Sequence, residues 1–277
     1  ITGPRHTITT DPDTAGRAII NGATRRPLIL PMVANILNGV WDPEGMAALL
    51  HDPKLRKQLL DRLEPWLAAN HAAGAFFDFE QLPPSAQADY LAFITEANAR
   101  FDKHGWLIAM AVPVGDPDWN IPAYAKIGDR VFLMAYDEHE NTGPPGPIAS
   151  QAWFARSVAD AAKGVPASKL IVTIGNYGYD WHGNVGDPMT VEEAWQAARE
   201  SDAMPTFDRA SGNTGFAYED DDGKHVIWLL DAASAYNQMA FLHRAGIGGV
   251  ALWRLGAEDP GLWSLFGRSH STLPAAS

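Results

Sequence analysis

The sequence predicts an α/β fold of the TIM (β/α)8-barrel type. Three observations lead there. Six short, largely apolar runs rich in β-branched and aromatic residues punctuate the chain, as strands buried on both faces require. Amphipathic segments of helical spacing separate them, and strands alternating with helices imply parallel strands joined by crossover helices. The length of 277 residues suits one such barrel, typically about 250 residues, better than an open doubly wound sheet.

The elements follow in order. Residues 6–10 read as a short strand and 15–21 as a weak helix. The six clear runs are 28–34, 74–80, 106–114, 130–136, 170–174 and 248–253. Helical spacing is plainest at 53–69, where Leu55, Leu59, Leu60, Leu63, Trp66 and Leu67 fall on one face. Residues 85–101, 150–162, 191–198 and 232–245 share the pattern. Between 215 and 230 the alternation breaks, and an Asp-Gly pair between apolar runs predicts a β-hairpin inside an insertion at 205–231. No repeat, low-complexity tract or interdomain linker interrupts 1–277, which is expected to form a single barrel domain.

Composition removes several function classes. Thirty-three acidic against twenty-one basic side chains leave a formal charge of −12, the wrong sign for a general nucleic-acid binder. No apolar run approaches the roughly 20 residues that span a bilayer. The absence of cysteine excludes disulfides, thiolate metal sites and cysteine nucleophiles. The sequence starts at Ile1 without a basic-then-apolar leader, so it is read as a processed protein or a module of a longer one, tethered to other domains.

Barrel chemistry sits at the C-terminal ends of the strands. Those ends supply Asn35, then Asp78 and Glu80, then Tyr136 and Asp137, then Tyr177, Tyr179 and Asp180, and finally Trp253 and Arg254. Asp78 and Glu80 stand at i and i+2, so on a strand both carboxylates face the same way. Close carboxylates cannot both ionise freely, and a raised carboxyl suits a general acid near neutral pH. The competing reading is that two strand-end acids cap neighbouring loops. Aromatic rings among these acids offer faces on which sugar rings stack, and Trp41 and Trp181 read equally as packing residues. An acidic, aromatic pocket fits a neutral carbohydrate better than a phosphorylated ligand.

Four motifs in order resemble glycoside hydrolase family 18, the chitinases and their relatives. They are the run 74–80 ending Asp78-Phe79-Glu80, Met134-Ala135-Tyr136-Asp137, Tyr177-Gly178, and 249–253 ending in Trp253. The stretches 78–84, 134–139, 177–181 and 252–263 are most similar to the bacterial branch with spore-cortex hydrolases and modules fused to polysaccharide deacetylases and glycosyltransferases. The resemblance spans 28–263. It implies retaining, substrate-assisted cleavage of a β-linked, N-acetylglucosamine-containing polysaccharide. Glu80 is the implied proton donor, and Asp78 orients the substrate's acetamido group. Tyr136 bonds the acetamide carbonyl, and Asp137 contacts the sugar or tunes the acids. Trp253 floors the reacting sugar. Asn35, Tyr177, Tyr179, Asp180 and Arg254 complete the expected substrate-binding set. No cofactor or metal is expected, and the family places such an enzyme outside the cytoplasm.

The sequence departs from the family pattern in two places. Phe76 stands where the fuller signature has an acid or amide, and Ala73 replaces its first acid. Aligned on the motifs, 28–34 is the third barrel strand and 6–10 the second. The first is then expected upstream of Ile1, from another segment, or not at all. Two other functions keep the same fold. A glucan without acetamido groups requires a second carboxylate, Asp137 or Asp180. A glycan-binding, chitinase-like lectin requires none. Metal binding at Asp137-Glu138-His139-Glu140 lacks zinc-like spacing, and the acidic turn at 220–223 lacks the ligand series of a calcium loop.

Overall fold

The computed structural model describes residues 14–24, 26–221 and 223–266. The strand expected at 6–10 lies outside them. The chain divides into two compact units, Ile1–Val112 with Asp116–Val131, and Pro113–Gly115 with Phe132–Ser277.

Among the described residues, the first unit opens with α1 (Thr14–Gly22) and β1 (Met32–Ala34). Only the end of the run at 28–34 is strand, because Pro31 has no N–H to give a ladder. A tight hairpin follows, β2 (Ile36–Leu37) and β3 (Val40–Trp41), turned by Asn38 and Gly39 at positive φ. Two Asp-Pro pairs then start helices. Asp42 accepts from the Gly45 N–H at 2.9 Å and begins α2 (Pro43–His51). Asp52 accepts from the Lys54 N–H at 2.8 Å and begins α3 (Pro53–Ala69). In each, an aspartate cap precedes a proline whose missing N–H costs nothing in the first turn.

Beyond them lie β4 (Gly74–Asp78), α4 (Gln87–Phe101), β5 (Leu107–Pro113) and α5 (Ile121–Ile127). β4 pairs in parallel with β1, Ala34 opposite Asp78, and with β5, Gly74 opposite Leu107. A Cβ at Gly74 would sit 1.9 Å from the Leu107 carbonyl oxygen, so only glycine fits where these backbones meet. Phe77 and Phe79 are fully buried against α4, with ring centroids 5.2 Å from Phe93 and Tyr90 respectively. Arg56 fastens the helices together. It donates to the Leu50 carbonyl at 2.6 Å and to Glu96 at 2.7 Å.

The second unit carries β6 (Arg130–Met134) from Phe132 onward, α6 (Gln151–Ala161) and β7 (Leu170–Gly175). β8 (Gly178–His182), β9 (Val185–Met189) and α7 (Val191–Glu200) come next, then β10 (Thr206–Asp208), β11 (Asn213–Asp220) and β12 (Gly223–Leu229). The described residues of the unit end with α8 (Ala232–Arg244), β13 (Gly249–Trp253) and α9 (Leu262–Phe266). β6, β7 and β13 are consecutive sheet neighbours, and β13 runs parallel to β7.

The predicted hairpin is present as β11 and β12, with Asp220 opposite Gly223. It belongs to a larger antiparallel sheet, ordered β10-β11-β12-β8-β9, which also recruits Gly178–Met189. That sheet buries both faces. Ile227 and Leu229 pack on Val191 and Ala194 of α7. Tyr179 and Trp181 pack on Ile148, Ala149 and Leu230 opposite.

Candidate active site

The first unit sets a pair of carboxyls at the end of β4. Asp78 is 4% exposed, and its Oδ1 has no hydrogen-bond partner among the described residues. Burial raises its pKa to about 6. Glu80 lies two residues on and is half-buried. Desolvation is the one cause of the rise at Asp78, and no charge or hydrogen bond offsets it.

Asn35 holds the backbone that carries Glu80. Its Nδ2 donates to the Glu80 carbonyl at 3.0 Å, and its Oδ1 accepts from the Glu80 N–H at 2.8 Å. Asn35 is fully buried, so this residue, expected to contact sugar, serves as a backbone clamp. Asn35→Ala removes both of these buried hydrogen bonds, at an expected cost of about 1–3 kcal/mol. Urea denaturation of the two proteins measures it, and equal midpoints and slopes would show the clamp to be incidental.

The second unit forms a cavity of about 510 Å³. Asp137, Tyr177, Tyr179, Trp253 and Arg254 all line it. Asp137 follows β6 with φ at 63° and opens onto the cavity. Tyr177 donates its hydroxyl to Asp137 Oδ1, and Tyr179 donates to the same oxygen at 3.1 Å. Desolvation by the cavity walls pushes the Asp137 pKa up, while the two hydroxyls pull it down and Glu140 adds to the rise. The net direction is upward. Burial first, and then the charge of Asp137, hold both tyrosines above the usual phenol range.

Tyr136 packs edge-on against Tyr177, ring centroids 5.9 Å apart. Trp253 is 38% exposed at the end of β13, and the Trp253–Arg254 peptide is cis. Asn176 secures that strand end. Its N–H donates to the Trp253 carbonyl at 3.0 Å, and its Nδ2 donates to the Arg254 carbonyl at 3.1 Å. Sequence reasoning passed over Asn176, although it immediately precedes the Tyr177-Gly178 motif. It also passed over Thr190 and Glu193, which line the cavity. These two form a capping box at the start of α7, and the spacing Thr190-x-x-Glu193 was the signal for it.

Asp180 stands apart from this group. Side chains alternate along β8, so Tyr179 faces the cavity while Asp180 faces the α7 side of the sheet. There it accepts from His225 Nδ1 at 2.8 Å and from the Tyr218 hydroxyl at 3.4 Å. Burial lowers the His225 pKa, but Asp180 and Asp220 outweigh it and hold the imidazole above its usual value. The tetrapeptide after Tyr136 is also structurally engaged. Glu138 accepts from the Ser150 N–H at 2.7 Å, and His139 Nδ1 donates to the Pro147 carbonyl at 2.9 Å.

A family model described as glycosyl hydrolases family 18 matches residues 37–258. The chain is 30% identical over 248 residues to the uncharacterized glycosylase YvbX of Bacillus subtilis, covering 84% of this chain and 72% of that protein. It is 24% identical over 253 residues to the cortical fragment-lytic enzyme of the same organism, covering 86% of this chain and 59% of that enzyme. The chain thus spans well under two thirds of that second relative. Among solved structures, a chitinase from Chromobacterium violaceum matches with a TM-score of 0.85 at 24% identity, over 95% of this chain and 87% of that one. The spore cortex-lytic enzyme SleL of Bacillus cereus matches with a TM-score of 0.80 at 23% identity, over 92% and 62%. These likenesses show a TIM-barrel-type α/β fold.

Proposed function

The chain belongs to glycosyl hydrolase family 18, and from that premise we propose that it cleaves β-linked, N-acetylglucosamine-containing polysaccharide with retention of configuration. The observation that carries this reading is the strand end Asp78-Phe79-Glu80, where a buried carboxyl of raised pKa precedes a half-buried one on a clamped backbone.

Glu80 gives its proton to the glycosidic oxygen as the bond to the anomeric carbon breaks. The substrate's acetamido oxygen takes that carbon from the other face, forming a cyclic oxazolinium ion. Asp78 orients the acetamide and balances its positive nitrogen. Water, deprotonated by the Glu80 carboxylate, then opens the ring and restores the acetamide. Two inversions give net retention, and the protein supplies no nucleophile. Tyr136 bonds the acetamide carbonyl, Asp137 contacts the sugar, and Trp253 is the floor on which its apolar face lies. Tyr177 and Tyr179 fix the Asp137 carboxylate for that contact.

Relatives named for chitin and for spore cortex both favour an acetamido sugar, and an enzyme on such polymers works outside the cytoplasm. None of the described helices is long and apolar enough to cross a membrane. The test is a product profile on chitooligosaccharides, peptidoglycan and β-glucans, with an oxazoline mimic as inhibitor. Cleavage confined to acetamido substrates, with β-configured products and inhibition by the mimic, is expected. Equal cleavage of β-glucans would overturn substrate assistance. Binding without products would assign the chain to glycan recognition instead.

A further inference from the structure

Away from the sugar cavity, the α7 face of the antiparallel sheet gathers two histidines and a carboxylate. His182 on β8 and His225 on β12 are directly opposed across the strands, with ring centroids 3.8 Å apart. Asp180 stands two residues before His182 and therefore on the same face. One ligand atom from each of Asp180, His182 and His225 falls within 4.8 Å of the others, the one such cluster among the described residues.

We propose that Asp180, His182 and His225 form a binding site for a divalent d-block cation of the zinc type. Two imidazoles and one carboxylate, with a fourth position open to water, are the donor set zinc takes in open tetrahedral sites. Zinc–nitrogen and zinc–oxygen bonds of about 2.0–2.2 Å set tetrahedral ligand atoms about 3.3 Å apart. The contact of 2.8 Å between His225 Nδ1 and Asp180 is a proton-bridged version of that geometry. Exchanging the proton for the metal needs the two groups to separate by about half an ångström. His182 is exposed, so the cation and its water reach the site from solvent.

The surroundings match what a metal-bound histidine requires. The second nitrogen of a ligating imidazole is ordinarily held by a carboxylate, which fixes the tautomer and raises its basicity. Here Asp220 Oδ1 lies 3.1 Å from His225 Nε2, leaving Nδ1 for the metal. Tyr218 stacks on the His225 ring at 4.3 Å and 10°, and its hydroxyl reaches Asp180 Oδ2 at 3.4 Å. Both orienting groups lie on β11, so the cation would join β8 to β12 while β11 steadies both ligands.

Calorimetric titration of the chelator-treated chain with zinc chloride tests this, together with X-ray absorption at the zinc edge. One equivalent is expected to bind, with nitrogen and oxygen neighbours near 2.0 Å. His182→Ala should weaken binding at least tenfold while leaving the metal-free melting curve unchanged, because that side chain is exposed. Asp220→Asn should weaken it about 10–100-fold. No saturable binding, or binding that survives His182→Ala undiminished, would overturn the site.

Discussion

Glu80→Gln is expected to lower turnover by about 10²–10⁴-fold, the range over which a positioned general acid acts. Glutamine keeps the length and shape of the side chain and removes only the transferable proton. Ligand affinity should therefore stay within about threefold of wild type, since ground-state contacts survive and only the transition state loses its proton. Stability should also hold, because the Asn35 clamp engages the backbone of residue 80 and is indifferent to its side chain. The measurement is steady-state hydrolysis beside calorimetric binding of the same oligosaccharide. Unchanged turnover removes Glu80 from the chemistry. Loss of binding together with turnover makes it a binding residue instead.

Asp78→Asn has the second large effect, and it is visible in two kinds of experiment. Turnover should fall by about 10²-fold, comparable to removing one preorganised group that meets developing charge. The pH dependence should change as well. Asp78 titrates at about 6 in the folded protein, raised by burial. In the proposed mechanism it balances a cationic intermediate only when ionised, so kcat/KM of the wild type should decline on the acid side near that value. The variant should lack that limb.

In stability the raised pKa works in the opposite sense. The neutral carboxyl contributes fully below the unfolded value near 3.9, and the contribution is lost as pH rises through 6. Between pH 4 and 8 the wild type should therefore lose about 2 kcal/mol relative to Asp78→Asn. Parallel chemical denaturation of the two proteins across that range decides it. A pH-independent difference would mean Asp78 is not held neutral by its surroundings.

Much of the framework was legible because it is local. Apolar runs bounded by loops marked the strands, and the helix at 53–69 was placed to the residue by its leucine spacing. α2 was not, since nine residues with only Met46, Leu49 and Leu50 buried show too few turns of pattern. The antiparallel sheet escaped for a different reason. Gly178–His182 pairs on one edge with a strand some 45 residues later, and nothing in five alternating residues announces that distance. In the site, Asp137, Tyr177, Tyr179, Trp253 and Arg254 were read from strand ends, and all five line one cavity. Asn35 and Asp180 were also read from position. Their side chains are committed to Glu80 and His225, contacts that depend on tertiary pairing. Position at a strand end identified candidates; it did not say which way each side chain turns.

β8 is five residues long and serves two masters. Its odd-numbered positions, Tyr179 and Trp181, belong to the side packed on Ile148 and Leu230, and its even-numbered ones, Asp180 and His182, to the histidine cluster. The strand thus has something like a reading frame. A single residue inserted or deleted beside Gly178 would exchange the two sets at once, presenting a histidine to the cavity side and a tyrosine to His225. Length at that point is therefore tied to both faces at once, and only a change of two residues keeps each set on its own side.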